Sequence, residues 1–173
     1  KTGRFATDLD TPRLQMNDGK REFVIAWAKE TAIERDIVLC QQDVRNIQLA
    51  KGAMYAGAKI MMRQLGVKKL DGIMLAGAFG SYIDKESAAA MGLFPGCPLK
   101  KINAVGNAAG DGARMALLNI DKRAEADRMA RRVDYIELTT EPDFHTVFSQ
   151  AMWFPHMNDS FPNLKKAAGK GGG

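Results

Sequence analysis

The sequence feature that most constrains the fold is a short apolar run that leads directly into a glycine-rich turn. Residues 72–76 are too few for a helix, and Gly77-Ala78-Phe79-Gly80 follows them without a break. Such a run is typical of a buried parallel strand that ends in a tight turn. The glycines allow a positive φ or a close approach of another group. Ligands of open α/β sheets bind outside the carboxyl ends of the strands, so this turn is a candidate ligand contact, although many glycine-rich strand ends are only turns.

A second strand–turn unit of the same kind follows later in the chain. Residues 101–105 predict a core strand, and Gly106-Asn107-Ala108-Ala109-Gly110 forms a small-residue turn before a helix over 113–118. We expect the two turns to lie side by side at one edge of a sheet. That pairing is more specific for a ligand site than either turn alone.

Length and composition limit the functional classes. A chain of 173 residues, 46% of them hydrophobic, fits one domain or a part of a larger protein. Its apolar runs are shorter than a membrane span, and we expect no signal peptide. The first residue is Lys1 rather than methionine, so the chain is expected to derive from something longer.

Cysteine content and charge narrow the choice further. Two cysteines, Cys40 and Cys97, are too few for a disulfide framework, an iron–sulfur cluster or a structural zinc site within one chain. A reducing, cytoplasmic setting is therefore expected. The net charge is +5, and its densest cluster, residues 128–132, lies on a predicted helix beside acidic residues. This pattern favours a solvated helix face over a nucleic-acid site.

Two strands and one long helix are predicted in the first third of the chain. Residues 1–19 predict a loop, and the strands over 22–27 and 36–39 are spaced for a hairpin. The helix is predicted over 41–65, with Gly66 as its stop. One stripe of this helix recurs at three- and four-residue steps and is expected to be buried: Ile47, Ala50, Met54, Ala58, Met61 and Leu65.

Two glycines inside the long helix, Gly52 and Gly57, predict a close contact, because each costs about 1 kcal/mol relative to alanine. At the helix start, Cys40 and Asp43 have the spacing of a capping box. Further helices are predicted over 84–91, 121–132 and 141–153 and a strand over 133–138. Residues 156–173 are expected to form an extended or disordered tail.

Catalytic motifs are missing from the sequence. His145 and His156 have no ligand-like neighbours, and no acid pair or nucleophile–base set stands out. There is no Walker lysine motif and no Asp-X-Gly-Thr phosphate loop. No catalytic or metal-ligating residue is therefore expected in this chain.

Three stretches, residues 36–53, 75–84 and 105–113, together resemble one known family. They contain Asp-Val-Arg-Asn-Ile-Gln-Leu-Ala-Lys, Leu-Ala-Gly-Ala-Phe-Gly-Ser-Tyr-Ile-Asp and Val-Gly-Asn-Ala-Ala-Gly. The family is that of the ATP-dependent reductive activators of corrinoid proteins, also described as ASKHA-domain ferredoxin-like proteins. The likeness runs in order over residues 1–155. Cys40 departs from it, because the family has Thr or Ser there, and this weakens the helix cap.

The resemblance implies an α/β fold over residues 1–155, the ribonuclease-H-like lobe of an actin-like (ASKHA) ATPase, with a mixed sheet flanked by helices. It implies a longer parent with an iron–sulfur ferredoxin domain, which uses ATP and magnesium to return cobalt(II) corrinoid to cobalt(I). The cluster cysteines and phosphate loops would lie outside this chain, which alone is expected to be inactive. The implied partners are a corrinoid protein of a methyltransferase system and a second copy in a homodimer, with no nucleic acid and no membrane.

The same resemblance assigns the nucleoside contacts. It places the adenosine of ATP or ADP near Gly77, Ala78, Phe79 and Gly80, beside the second segment with Gly106 and Asn107, and it makes Gln48 and Lys51 base or ribose contacts.

Two other functions stay open from the sequence. The chain could be a non-catalytic module that dimerises or docks a partner through Met54, Met61 and Met62, since methionine suits adaptable contacts. Half of a sugar or acetate kinase would share the broad fold. It is disfavoured because the Gly-Asn-Ala-Ala-Gly run matches the activators better.

Overall fold

The chain begins with a small antiparallel sheet, seen here in a computed structural model that describes residues 1–6 and 9–161, without the side chain of Phe79. Strands β1 (Leu14–Asn17), β2 (Lys20–Ala26) and β3 (Ile37–Cys40) lie in the order β1-β2-β3. The hairpin pairing predicted for the strands over 22–27 and 36–39 is confirmed, since β2 and β3 pair with Phe23 opposite Leu39. The prediction of a loop over 1–19 was wrong at β1, which a two-residue turn at Asp18 and Gly19 joins to β2.

The long helix α1 (Gln41–Gln64) follows directly from β3. The Cys40 N–H donates to Asp43 Oδ2 at 2.8 Å, which is the backbone half of the predicted capping box. The predicted buried stripe was wrong: Met54 and Met61 are each 47% exposed, and Leu65 is exposed as well. The buried face is a neighbouring one, made of Gln48, Lys51, Gly52, Tyr55, Ala56, Gly57 and Ile60.

The buried face of α1 is covered by helix α6 (Phe144–Ala151) and the segment around it. A Cβ added at Gly52 would lie 3.2 Å from Met152 Cγ, and one at Gly57 would lie 3.2 Å from Leu138 Cδ1. The close contact predicted from these glycines is therefore present. Larger residues would force α6 away from α1 at Gly52 and Leu138 away from α1 at Gly57, so the small residues select this face for burial.

The second sheet consists of β4 (Ile73–Ala76) and β5 (Ile102–Gly106), which pair in parallel. Helices α2 (Gly77–Tyr82) and α3 (Lys85–Met91) connect them. Helix α3 is capped as its sequence predicts, with the Ser87 N–H donating to Asp84 Oδ1 at 2.7 Å and Gly92 in the left-handed conformation at its end. A buried cluster fills the space behind this sheet: Ala88, Leu93, Phe94, Cys97 and Ile102.

Helices α4 (Ala108–Leu118) and α5 (Ile120–Ala130) form a hairpin whose apolar side chains are largely exposed. The strand predicted over 133–138 was wrong. Residues 133–137 have no regular structure, and Leu138–Thr140 is a 3-10 turn. Local hydrogen bonds replace strand pairing there, because Glu137 accepts from the Tyr135 hydroxyl at 2.8 Å and from the Thr139 hydroxyl at 2.6 Å.

The segment that follows Pro155 has no helix or strand over residues 156–161, but it packs on α1. His156 is 6% exposed, and its ring lies 4.8 Å from that of Tyr55. The rest of the predicted tail, residues 162–173, lies outside the described residues. In the described part of the chain, every helix is too short or too polar to cross a membrane.

Candidate functional site

The two small-residue turns lie next to each other. In the parallel pairing of β4 and β5, Ala76 is opposite Gly106, so Gly77 and Asn107 both leave the sheet at its carboxyl edge. This confirms the predicted adjacency. The turns are tighter than the sequence indicated, because α2 begins at Gly77 itself and α4 begins at Ala108.

The backbone at these two turns is open. Gly77 has φ +86° and Gly106 has φ +66°, a region that side chains disfavour. A Cβ built on either residue would have no heavy atom within 4 Å, leaving aside each glycine's chain neighbours. The glycines therefore set the direction of the chain and leave their own backbone uncovered at the sheet edge. We call the backbone of residues 77–80, 106 and 107 at this edge the ledge.

Two other residues hold the ledge in shape. A Cβ at Gly80 would lie 2.7 Å from the carbonyl carbon and oxygen of Leu75, so only glycine allows α2 to pack this closely on β4. Asn107 caps α4, with its Oδ1 accepting from the Gly110 N–H at 3.1 Å. Ala78 is exposed on the same edge.

Gln48 and Lys51 have partners within the chain. Both are buried, with exposures of 3% and 1%. The Gln48 amide donates to Met152 O at 2.8 Å and to Thr2 O at 3.2 Å. The Lys51 ammonium donates to the carbonyl oxygens of Ala151, Trp153 and Pro155. Since an ammonium has three N–H groups, all the donors of Lys51 are used where α6 ends, and both side chains act there as structural ties.

Burial lowers the pKa of the Lys51 ammonium to about 8. Its three carbonyl acceptors and the Phe154 ring, whose centroid lies 5.3 Å from Nζ, favour the charged form. The last carbonyls of a helix carry partial negative charge, so a cation is well placed there.

Residues 1–165 match the family model described as the C-terminal domain of RACo, the ASKHA domain. The chain belongs to this family. A curated relative, the corrinoid activation enzyme RamQ of Eubacterium limosum, is 38% identical over 129 residues, which are 73% of this chain and 22% of RamQ. A solved structure, a reductive activator for corrinoid, iron–sulfur protein, superposes with a TM-score of 0.81 at 33% identity and covers 91% of this chain and 25% of its own. The chain thus spans about a quarter of the length of these proteins.

Membership in the RACo C-terminal family confirms the α/β ASKHA fold inferred from the sequence. It also favours the activator resemblance over the kinase alternative, since both relatives are named for corrinoid activation.

The residues of this RACo-family chain do not fit an iron–sulfur cluster. Cys40 is the N-cap residue before α1, Cys97 is buried behind β5, and such clusters take four clustered ligands. No three His, Cys, Asp or Glu side chains of the described part are grouped as a metal site.

A polar cluster on α1 was not predicted from the sequence. The Tyr55 hydroxyl donates to Asp159 Oδ2 at 2.5 Å, and Lys59 Nζ lies 2.8 Å from the same atom. His156 Nδ1 accepts from the N–H groups of Asn158 and Asp159 at 3.1 and 2.9 Å. No local pattern signals this cluster, because Tyr55 and Asp159 are 104 residues apart in the sequence.

Three pKa values shift in this cluster. Against the raising effect of burial, the hydrogen bonds from Lys59 and Tyr55 lower the pKa of the Asp159 carboxyl. Burial lowers the pKa of His156, and Lys51 and Lys59 lower it further against the opposing effect of Asp159. Burial, together with the hydrogen bond to Asp159, raises the pKa of the Tyr55 hydroxyl. The shifts of His156 and Tyr55 keep these two side chains neutral in the folded state.

Proposed function

We propose that this chain is the C-terminal, nucleotide-binding part of an ATP-dependent reductive activator, which returns the cobalt(II) of a corrinoid protein to cobalt(I). The observation that carries the proposal is the pairing of Ala76 with Gly106, which brings two bare turns together at one sheet edge. Support comes from the RACo family match and from two relatives named for corrinoid activation.

In the proposed site, the nucleoside lies on the ledge formed by the backbone of Gly77, Ala78, Phe79 and Gly80 and the facing Gly106 and Asn107. Bare backbone suits this role, because it lets a flat base and ribose approach the N–H and C=O groups closely. Gln48 and Lys51 are left out of the proposed contacts, since their polar groups bind the chain's own carbonyl oxygens.

The phosphates, the magnesium ion and the electron source are proposed to be held outside this chain. The sequence has no phosphate loop of the Asp-X-Gly-Thr type and too few cysteines for a cluster. Bound ATP would supply free energy through its differential affinity for two domain arrangements, and the iron–sulfur cluster would supply the electron. The residues described here would bind and orient the nucleoside.

The proposed partner is the corrinoid protein of a methyltransferase system, and the proposed assembly is a homodimer in the cytoplasm. Both follow from the activator assignment. The exposed apolar residues of α4 and α5 offer surface for such contacts: Met115, Leu117, Leu118, Ile120 and Met129.

Calorimetric titration with adenosine and ADP tests the nucleoside site. We expect weak, saturable binding of both to the chain, without ATP turnover. Gly77→Ala should weaken binding of adenosine and ADP at least tenfold, because the alanine Cβ disfavours the positive φ of this residue and so changes the backbone of the ledge. Gly66→Ala is the matched control, since Gly66 also has a positive φ of 66° and open space around it, but it follows α1.

The proposal fails if adenosine and ADP do not bind, or if the two variants weaken binding equally. Turnover of ATP by the chain alone would contradict the assignment of the phosphate-binding groups to other segments.

A docking module remains the second candidate, because Met54 and Met61 of α1 are half-exposed instead of buried. Light scattering with and without ADP separates the two. A dimer that Met61→Lys dissociates, with no effect of nucleotide on assembly or stability, would favour the docking function.

A further inference from the structure

A basic cleft lies between the start of the chain, the β1–β2 turn and the first turns of α1. Its volume is about 530 Å³, which is within the usual range for small-ligand sites, about 300–1,000 Å³. Four cationic side chains line it: Arg4, Lys20, Arg21 and Arg45. No carboxylate lines it in the described part of the chain.

These four cations have no acidic partner among the described residues. The ion pairs of the structure lie elsewhere, as between Lys59 and Asp159 or Arg63 and Asp143. Four like charges around one cleft repel each other unless an anion lies between them. The nearby Asp43 carboxylate is directed to the Cys40 N–H.

The walls of the cleft are fixed by hydrogen bonds. Gln41 holds the first residues of the chain against α1, since its Nε2 donates to Gly3 O at 2.6 Å and its Oε1 accepts from the Phe5 N–H at 3.4 Å. The opposite wall is a two-residue hairpin turn, in which Asn17 pairs with Lys20. Arg45 donates to Gln48 Oε1 at 3.4 Å. The cations on these walls are therefore presented from segments tied to the fold.

The lining of the cleft is not only charged. Phe5 is half-buried and Met16 is exposed on the surface of the cleft. We propose that the cleft binds a small phosphate-bearing molecule, with the phosphate oxygens between Arg4, Lys20, Arg21 and Arg45 and an apolar or aromatic part against Phe5 and Met16. Guanidinium groups suit this ligand, because they donate two parallel hydrogen bonds to phosphate oxygens. The proposal is independent of the nucleoside ledge at Gly77.

The test is calorimetric titration of the chain with pyrophosphate at low and at physiological salt. We expect saturable binding that weakens as salt rises. Arg4→Ala/Arg21→Ala should raise the dissociation constant about tenfold or more, since it removes two charge-assisted contacts. Both side chains are exposed, so circular dichroism and thermal unfolding should match the unaltered chain.

The matched control is Lys29→Ala/Arg132→Ala, which also removes two positive charges, but from exposed positions outside the cleft. It should leave pyrophosphate binding within twofold. Gly77→Ala should also leave it unchanged, which separates this site from the nucleoside ledge. An equal loss in the control variant, or no saturable binding of pyrophosphate at millimolar concentration, would overturn the proposal.

Discussion

Lys51 of α1 donates a hydrogen bond to the carbonyl oxygen of Pro155 at 2.8 Å, across 104 residues of sequence. The same ammonium binds Ala151 O and Trp153 O, so one side chain satisfies three carbonyls where α6 ends. A helix end buried without such partners would be costly. Lys51 therefore ties the end of α6 to the middle of α1.

Replacing Lys51 with methionine should destabilise the fold. The methionine fits the apolar stem of the lysine but leaves three carbonyls without a donor, and we expect the free energy of unfolding to fall by about 2–4 kcal/mol. Urea denaturation followed by circular dichroism measures it. Lys68→Met is the control, since Lys68 is exposed and should change stability by less than about 0.5 kcal/mol. Equal stability of the two variants would refute the role of Lys51.

Replacing Gly52 with a large residue should lower the stability of the fold. Its Cβ position lies 3.2 Å from Met152 Cγ and 3.3 Å from Phe148 Cε2, so Gly52→Leu should overpack the contact between α1 and α6 and cost about 1–3 kcal/mol. Gly112, inside α4, has nothing within 4 Å, and Gly112→Leu should be neutral or stabilising through helix propensity. Thermal unfolding of the two variants compares them directly. A Gly52→Leu protein as stable as the original would mean that α6 is not packed here.

Acid should weaken the packing of residues 156–161. The folded pKa of His156 is lowered, so the unfolded chain binds more protons, and the stabilising contribution is present above pH 6.5 and is lost as pH falls through the folded pKa. Protonated Nδ1 would face the N–H groups of Asn158 and Asp159 that now donate to it. The free energy of unfolding between pH 7.5 and 5 should therefore fall less in His156→Asn than in the original chain. Thr146→Asn, at an exposed and non-titratable site on α6, should keep the original pH dependence.

Gly80→Ala should disturb the ledge from within the fold. The added Cβ would lie 2.7 Å from backbone atoms of Leu75, which cannot move aside as a flexible side chain would. We expect a loss of about 2 kcal/mol or more, together with weaker binding of adenosine. The exposed neighbour Ala78 provides the control, because Ala78→Ser should leave stability within about 0.5 kcal/mol. Unchanged stability in Gly80→Ala would show that α2 does not pack tightly on β4.

Local patterns predicted several parts of the candidate site correctly. An apolar run followed by small residues occurs twice, and both runs are parallel strands that lead into helices. The cap of α3 at Asp84 and the close contact at Gly52 were also predictable, since each depends on residue type at a few adjacent positions.

Other features depend on distant residues. The strand predicted over 133–138 has the right alternation, but the described chain brings no strand beside it, and an unpaired strand cannot satisfy its backbone groups. The polar cluster at Tyr55 depends in the same way on Asp159, 104 residues away.

The sequence by itself determined the strand–turn units, the extent of α1 and membership in the RACo C-terminal family, because each depends on the residue types at adjacent positions of the chain. Only the tertiary structure decided which face of α1 is buried. Two faces of that helix carry apolar side chains, and the buried one lets α6 approach closely at Gly52 and Leu138 at Gly57. Because α6 packs on this face, Gln48 and Lys51 donate hydrogen bonds to carbonyl oxygens where α6 ends. Met54 and Met61, on the other face, stay half-exposed.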